Sequence, residues 1–168
     1  QRTNFLGSAD GLATRIRSIS DTLTSVGEEV DDRINNTVAT INERTCQLAI
    51  LNVQLGKSPS LASQAPGLLD QRDTLLKDLS GLVKIHVDEN SAGQVAVRLY
   101  GMGDSGTLIS GAKNRDLGAI VPREVTEKLT LAFDPFGEVT PVSGVQGGEL
   151  GGLLSFRNSA LLSTIDDL

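Results

Sequence analysis

The sequence predicts an α+β fold, in which an elongated antiparallel helical bundle carries an inserted β-rich domain. Three observations lead to this fold class. Residues 12–55 contain almost no helix-breaking residues and repeat their apolar side chains at helical spacing. Residues 83–146 contain short runs of alternating apolar and polar residues, separated by turn-forming residues. Residues 147–168 return to a helical pattern, so the prediction divides the chain into a discontinuous bundle, 1–82 plus 147–168, and a β-rich domain, 83–146.

The first element is predicted to be one very long helix. Its apolar residues recur in alternating steps of four and three, the spacing of a helix that packs lengthwise against another helix: Leu12, Ile16, Ile19, Leu23, Val26 and Val30. This apolar seam continues to Leu55 after an inserted step of four. We expect the helix to run from about residue 3 to residue 55, about 80 Å at 1.5 Å per residue, and to end at Gly56 and Pro59. A helix of this length needs packing partners along its sides.

A short second helix, a β-rich segment and a C-terminal return helix are predicted to follow. The second helix is expected from Pro66 to Ser80, with Gly81 at its end. The runs LVKIHVDE and QVAVRLY flank the turn NSAG as a β-hairpin, and TLIS, EKLTLAF and EVTPV add strands. EVTPV is expected at a sheet edge because Pro141 lacks an N–H group. Residues 111–126 are expected to be irregular, and DPFG is expected to form a turn. The last helix, LLSFRNSALLSTIDDL, is predicted to pack back along the first two.

Composition and charge exclude several classes of function. The chain has 15 Lys and Arg against 21 Asp and Glu, a formal charge of −6, so it lacks the basic surface that nucleic-acid or anionic-membrane binding requires. No apolar run approaches the roughly 20 residues of a membrane-spanning helix, and the N-terminus lacks the pattern of a signal peptide. One cysteine, Cys46, and one histidine, His86, are too few for a disulfide or a structural zinc site, and we expect no cofactor.

Two glycine-rich stretches contain spacings that also occur in phosphate-binding motifs. Residues 101–106 form a literal GxGxxG, but the strand-like run TLIS follows where a dinucleotide site needs a helix, so a turn is predicted. Gly147, Gly148, Gly151 and Gly152 precede the last helix, with a glutamate among them whose charge would repel phosphate. We expect these four glycines to form the junction between the β-rich domain and the helix, where they permit a sharp turn and close packing.

Two arginines lie on apolar helical stripes. In the segment LLDQRDTLLKDL, Arg72 is spaced three and four residues from leucines, and Arg157 has the same setting in the last helix. A buried arginine is costly unless a carboxylate pairs with it, and the candidate partners are Asp70, Asp73, Asp31, Asp32 and Glu43. We interpret Asp70, Arg72, Asp73 and Arg157 as a polar lock that fixes the register of the helices. In the alternative, Asp70 and Asp73 act as a general acid and base, but the sequence indicates no cleft for them to face.

Three stretches together resemble a known family. They are TINERTCQLAILNVQL in the long helix, LLDQRDTLLKDLSGLVKIHV in the second helix and first strand, and GGELGGLLSFRN at the start of the last helix. In their order and spacing the chain resembles the family of bacterial flagellar hook-associated protein 1, over essentially all 168 residues. Stretches like LLDQRD also occur in related axial proteins, so a flagellin-like or second junction protein of the same superfamily is an alternative.

The resemblance implies a non-enzymatic structural subunit that self-assembles in the flagellar axial tube and joins hook to filament. The implied partners are copies of itself, the hook protein, the second junction protein and, for the full-length chain, an export chaperone. The resemblance also implies flagellar type III export without a cleaved signal peptide, and hence an extracellular location. The chain resembles a core fragment that lacks the family's terminal polymerisation segments. No catalytic residue is implied, and Arg72 and Arg157 match the family motifs by position only.

Two further alternatives belong to other functional classes. One is a dimeric coiled-coil scaffold or signalling module, favoured by the heptad spacing of residues 12–30, which predicts a parallel dimer rather than a returning helix. The other is an enzyme that uses Asp70 and Asp73 with a divalent metal ion. A calorimetric titration with Mg²⁺ or Ca²⁺ would detect such a site.

Overall fold

The computed structural model describes residues 2–57, 66–134 and 139–167. Helix α1, Arg2–Gly56, is followed by helix α2, Pro66–Leu82, so both predicted helices are confirmed, with α2 continuing past Gly81. The C-terminal helix consists of α3, Gly148–Ser155, a π-helical segment, Phe156–Leu161, and α4, Leu162–Asp166. The 55 residues of α1 span about 80 Å. Pro59 and residues 135–137 of the predicted DPFG turn lie outside the described residues.

Among the described residues, seven strands form two antiparallel sheets between α2 and α3. Sheet A has the order β1-β2-β3-β4, with strands Ile85–Glu89, Val95–Leu99, Thr107–Ser110 and Lys113–Asn114. Sheet B has the order β5-β6-β7, with strands Leu117–Ile120, Thr130–Phe133 and Thr140–Val142. The predicted β1–β2 hairpin has Ile85 opposite Leu99 and Glu89 opposite Val95. The GxGxxG stretch lies in the turn to β3, which includes a 3₁₀ helix, Gly103–Gly106.

The expectation that residues 111–126 are irregular is wrong, because β4 and β5 lie within them. These strands have only two and four residues, too few for an alternating pattern to stand out in the sequence. Instead β5 forms by pairing with β6, which lies further along the chain. The edge position of Pro141 is confirmed: β7 is an outer strand of sheet B, and Pro141 lies opposite Ala132.

One hydrophobic cluster joins the helices to both sheets. Its buried members include Ile34, Ile41 and Leu48 of α1, Leu79 of α2, Val97 and Ile109 of sheet A, Phe133 of sheet B and Leu150 of α3. The cluster is almost entirely aliphatic, as a chain with 3% aromatic residues requires. It crosses the boundary drawn between the helical bundle and the β-rich domain, and that division of the chain stays a prediction.

The C-terminal helix returns antiparallel to α1, as predicted. Glu149 pairs with Arg33 at its start, Arg157 pairs with Asp31 further along, and Leu161 lies near Gly27. As the residue number increases along the C-terminal helix, the residue number of its contact on α1 decreases, which shows that the two helices are antiparallel. In the part of the chain that the structure describes, no helix combines the length and the apolar character needed to cross a membrane.

Candidate functional site

Arg157 is completely buried and fastens the C-terminal helix to α1. Its Nε donates to Asp31 Oδ1 at 2.7 Å and its Nη2 donates to Asp31 Oδ2 at 3.3 Å, a two-point contact between guanidinium and carboxylate. Its Nη1 donates to the backbone carbonyls of Val125 and Glu127, at 2.8 and 3.2 Å. One side chain thus joins α1, the C-terminal helix and the loop between β5 and β6.

The apolar stripe of the C-terminal helix directs Arg157 inward. Leu150 and Leu161, on the same stripe, are buried on either side of it. The segment Phe156–Leu161 is π-helical, with a wider turn than an α-helix. In this segment both Arg157 and the next residue, Asn158, hydrogen-bond to the chain between β5 and β6.

Arg72 is buried and fastens α2 to sheet A. Its Nη1 donates to Glu89 Oε1 at 2.7 Å and to the Gly93 carbonyl at 2.8 Å. Its Nε and Nη2 donate to Asp73 Oδ1 at 2.9 and 2.7 Å. Burial lowers the pKa of the Arg72 guanidinium, but the hydrogen bonds and charges of Asp73 and Glu89 outweigh burial, so the pKa is raised overall. Both carboxylate side chains are more than half exposed, unlike Asp31 beside Arg157.

Asp70 lies apart from both arginines. It is on the exposed side of α2, and among the described residues it forms no ion pair with Arg72 or Arg157. Residues two apart on a helix do not face each other, which separates Asp70 from Arg72. Of the four residues grouped as a lock, Arg72 and Asp73 are in contact, and Arg157 is bound elsewhere.

The structure gives Asp70 and Asp73 no shared cleft. Asp73 is engaged by Arg72, whereas Asp70 faces outward. Within the described ranges, no group of three or more His, Cys, Asp or Glu side chains is placed to hold a metal ion. The placement of these two residues therefore does not support the metal-dependent enzyme hypothesis.

Three asparagine side chains bind backbone at the first residue of a strand or at the residue just before it, a contact that the sequence analysis did not predict. In each, the asparagine Nδ2 donates to the backbone carbonyl of one residue, and the asparagine Oδ1 accepts from the backbone N–H of that same residue. The side chain thus makes the two hydrogen bonds that a neighbouring strand would make. These asparagine clamps join Asn52 to Val95, Asn42 to Leu117 and Asn158 to Leu129, with distances of 2.7–2.9 Å. Asn52 also donates to the Gly111 carbonyl at 2.8 Å and is completely buried.

A signal for one of these clamps is present in the sequence. The spacing of seven between apolar residues from Ile41 to Leu55 leaves inward positions that Thr45 and Asn52 occupy. Both are completely buried, so a polar residue on the seam marks Asn52 just as it marks the two arginines. Asn42 lies beside the seam, and no pattern distinguishes it from an exposed asparagine.

The last helix begins at Gly148, so Gly148, Gly151 and Gly152 lie inside it and not before it as expected. The four junction glycines have different surroundings. Gly147 and Gly148 have φ angles of 66° and 63°, and a Cβ on Gly148 would lie 2.6 Å from backbone atoms of Leu82. A Cβ on Gly151 would lie 2.8 Å from the backbone of the residue before Gly147. Nothing lies within 4 Å of a Cβ placed on Gly152. Three of the four glycines are thus required by the turn or by close packing.

Similarity to known proteins identifies the family. The family model for the flagellar hook-associated protein FlgK helical domain matches residues 1–168. The chain belongs to this family. Flagellar hook-associated protein 1 of Salmonella typhimurium strain LT2 is 30% identical to this FlgK-family chain over 172 residues, 99% of the chain. The protein of the same name from Bacillus subtilis strain 168 is 30% identical over 138 residues, 82% of the chain.

A solved structure of the FlgK family has the same fold. The flagellar hook junction protein FlgK from Burkholderia pseudomallei matches with a TM-score of 0.72 and 28% identity, covering 87% of this chain and 26% of that chain. The chain spans 31% of the Salmonella protein and 27% of the Bacillus protein. The predicted fold class and the family resemblance are therefore confirmed.

Proposed function

We propose that this chain is a structural segment of a flagellar hook-associated protein at the junction between hook and filament. The match of all 168 residues to the FlgK helical domain carries this proposal. In this role the chain is not an enzyme. The side chains of Arg157, Arg72 and Asn52 are buried and are engaged by other parts of the same chain.

The buried polar contacts support a mechanical role. Apolar packing is non-directional, so the cluster alone does not define how far one element slides along another. Hydrogen bonds have restricted distances and angles, so the arginine contacts and the asparagine clamps select one register. We assign the Arg157–Asp31 and Arg72–Asp73–Glu89 contacts the role of locks between helices and sheets.

The proposal includes the partners and location that the family resemblance implies. The protein that contains this chain would assemble with copies of itself and bind the hook protein and the second junction protein. An export chaperone would bind the full-length protein before it leaves the cell through the flagellar type III channel without a cleaved signal peptide. Neither a nucleic acid nor a membrane takes part in this role.

Immunogold electron microscopy of intact hook–filament assemblies from the source bacterium tests the proposal. Antibodies raised against the purified chain are expected to label one band at the hook–filament junction. The same antibodies, preabsorbed with the chain, are the control. Label along the whole filament would assign the chain to another axial protein, and assemblies without specific label would contradict the proposal.

A further inference from the structure

The chain between β5 and β6 crosses the helices as an irregular segment. It consists of residues 121–128 and contains neither a helix nor a strand. Of its eight residues, only Pro122 and Val125 are partly buried, and the others are exposed. Among the described residues, the main hydrophobic cluster includes none from this segment. Apolar burial therefore contributes little to holding the segment in place.

Both ends of this segment are fixed to the rest of the fold. At one end, Ile120 of β5 lies opposite Thr130 of β6 in sheet B. At the other end, Leu129 is buried, and the Asn158 clamp binds its backbone N–H and carbonyl. The segment between these ends can therefore move only as a short loop with anchored ends.

Two contacts fasten the middle of the segment to the helices. Arg157 Nη1 donates to the backbone carbonyls of Val125 and Glu127, at 2.8 and 3.2 Å. The side chain of Val125 lies against Gly27 of α1. Within the described ranges, no ion pair adds to these contacts, although the segment contains four charged residues: Arg123, Glu124, Glu127 and Lys128.

The contact between Val125 and Gly27 depends on the missing side chain of the glycine. A Cβ on Gly27 would overlap Val125 Cγ1, so a larger residue at this position would push the valine away. Leu161 of the C-terminal helix lies at the same point, with its Cδ2 3.2 Å from that Cβ position. Gly27 thus forms a notch in α1, which Val125 fills.

Beneath the segment lies the buried ion pair of Arg157 and Asp31. Arg157 has no exposed surface, and Asp31 is 6% exposed. The pair itself uses Nε and Nη2 of the arginine, whereas the segment is bound through Nη1. If the segment lifts, water can replace its carbonyls as acceptors for Nη1 while the pair stays closed. Exchange of a protein acceptor for water has a small net cost.

We propose that residues 121–128 form a lid over this ion pair, which opens while the rest of the fold stays intact. Segments that bury little apolar surface open at lower free energy than core helices and strands. Val125 in the Gly27 notch closes the lid. An open lid gives water and ions access to the lock between α1 and the C-terminal helix. This property goes beyond the proposed function and does not depend on it.

Thiol labelling in native buffer tests the lid. In a Cys46→Ser chain, which lacks the exposed native thiol, Leu161→Cys places a thiol beside Val125 and Gly27. Leu48→Cys, at a completely buried position of the main cluster, is the matched control. Corrected for the global stability of each variant from urea unfolding, labelling should be faster at residue 161 on the order of a hundredfold. Equal corrected rates would overturn the proposal.

A size exchange between lid and notch distinguishes lid opening from fraying of the C-terminal helix. In the Leu161→Cys chain, Val125→Ala and Gly27→Ala should each raise the labelling rate on the order of tenfold, because neither lid closes fully. The two changes together should label more slowly than either alone, since the new methyl group fills the vacated space. Thr126→Ala, at an exposed lid residue, should change nothing. Fraying predicts one rate for all variants, and that result would overturn the proposal.

Limited proteolysis of the unsubstituted chain gives a test that needs no change in the core. Trypsin cleaves after Arg123 and Lys128, which are both exposed in the lid, and after Lys113, which is exposed in β4. Within residues 66–134, the first cut should follow Arg123 or Lys128, at a rate that low urea does not change. Proteolysis of a locally opened state reports the population of that state. A first cut after Lys113, or cleavage that follows global unfolding in urea, would contradict the lid.

Discussion

Arg157 has no exposed surface, so its charge depends entirely on groups inside the protein. Moving an ion out of water costs several kcal/mol, which the paired carboxylate of Asp31 and two backbone carbonyls offset here. Arg72 differs because its two carboxylates remain largely in water. Removal of either arginine leaves hydrogen-bond acceptors without a donor. Only the loss of Arg157 leaves a buried carboxylate unpaired, that of Asp31.

Arg157→Met should destabilise the chain by about 3–5 kcal/mol, because Asp31 would remain buried without its partner. Urea denaturation followed by circular dichroism measures this loss. Arg33→Met is the control, since its pair with Glu149 is exposed and contributes at most about 1 kcal/mol. Adding Asp31→Leu to Arg157→Met should recover most of the loss. A single-variant loss no larger than that of the control would contradict the lock.

Arg72→Ala should cost less, about 2–3 kcal/mol, because Asp73 and Glu89 can become fully hydrated after the change. The raised pKa of Arg72 means that its charge stabilises the fold below its unfolded pKa and ceases to do so only as the pH rises through the folded pKa. Arginine titrates above about pH 12. The loss should therefore be the same at about pH 7 and about pH 9, and a loss that shrinks at the higher pH would contradict this assignment.

The two arginine positions could be predicted from the sequence, but most of their partners could not. The helical period places Arg72 and Arg157 on apolar stripes, which requires burial and hence a partner. Glu89 is on a strand, and its approach to Arg72 depends on how sheet A packs against α2. Asp31 was one of five candidates, and local spacing did not distinguish it from Asp32 next to it.

At the scale of elements, α1 is joined to the sheets by asparagine side chains that hydrogen-bond to strand backbone, as a neighbouring strand would. Asn42 and Asn52 satisfy the backbone groups at the starts of β5 and β2, which would otherwise be buried beside the helix without partners. Apolar residues in these positions would pack against the sheets but leave those groups unpaired, at a cost of about 1–3 kcal/mol each.

Asn52→Ala should destabilise the chain by about 2–4 kcal/mol, because three hydrogen bonds are lost at a completely buried site. Asn35→Ala, at an exposed asparagine of the same helix, is the matched control and should change stability by less than about 0.5 kcal/mol. Thermal and urea unfolding of the two variants provide the comparison. Equal stability of both would show that the clamp contributes nothing.

Gly148→Ala should destabilise the chain by about 2 kcal/mol or more, because its φ is positive and a Cβ would meet the backbone of Leu82. Gly152→Ala should instead be neutral or stabilising by up to about 1 kcal/mol, since the site is open and helical. Urea midpoints measured side by side decide between these outcomes. A Gly148→Ala chain as stable as Gly152→Ala would refute the packing of α3 against the end of α2.

Long elements with a clear period could be predicted, whereas short ones could not. The seam of α1 extends over many turns, so its helical period is evident. Strands β4 and β5 have two and four residues and exist because they pair with β3 and β6. The asparagine clamps depend on the same tertiary packing, and only Asn52 occupies a seam position that marks it in advance.

At the scale of the whole molecule, the structure is organised along one long helix. A single continuous helix of about 80 Å runs along it, and one apolar cluster together with arginine and asparagine contacts holds two sheets and two shorter helical segments against it. This arrangement fits the structural role proposed for the chain.

Small-angle X-ray scattering of the monomeric chain at low concentration tests this arrangement most directly. The longest dimension should be at least about 80 Å, set by α1. The radius of gyration should clearly exceed the roughly 15 Å of a compact chain of 168 residues. A compact particle would mean that α1 is broken in solution, and it would contradict a fold in which two sheets and the shorter helices pack along one long helix.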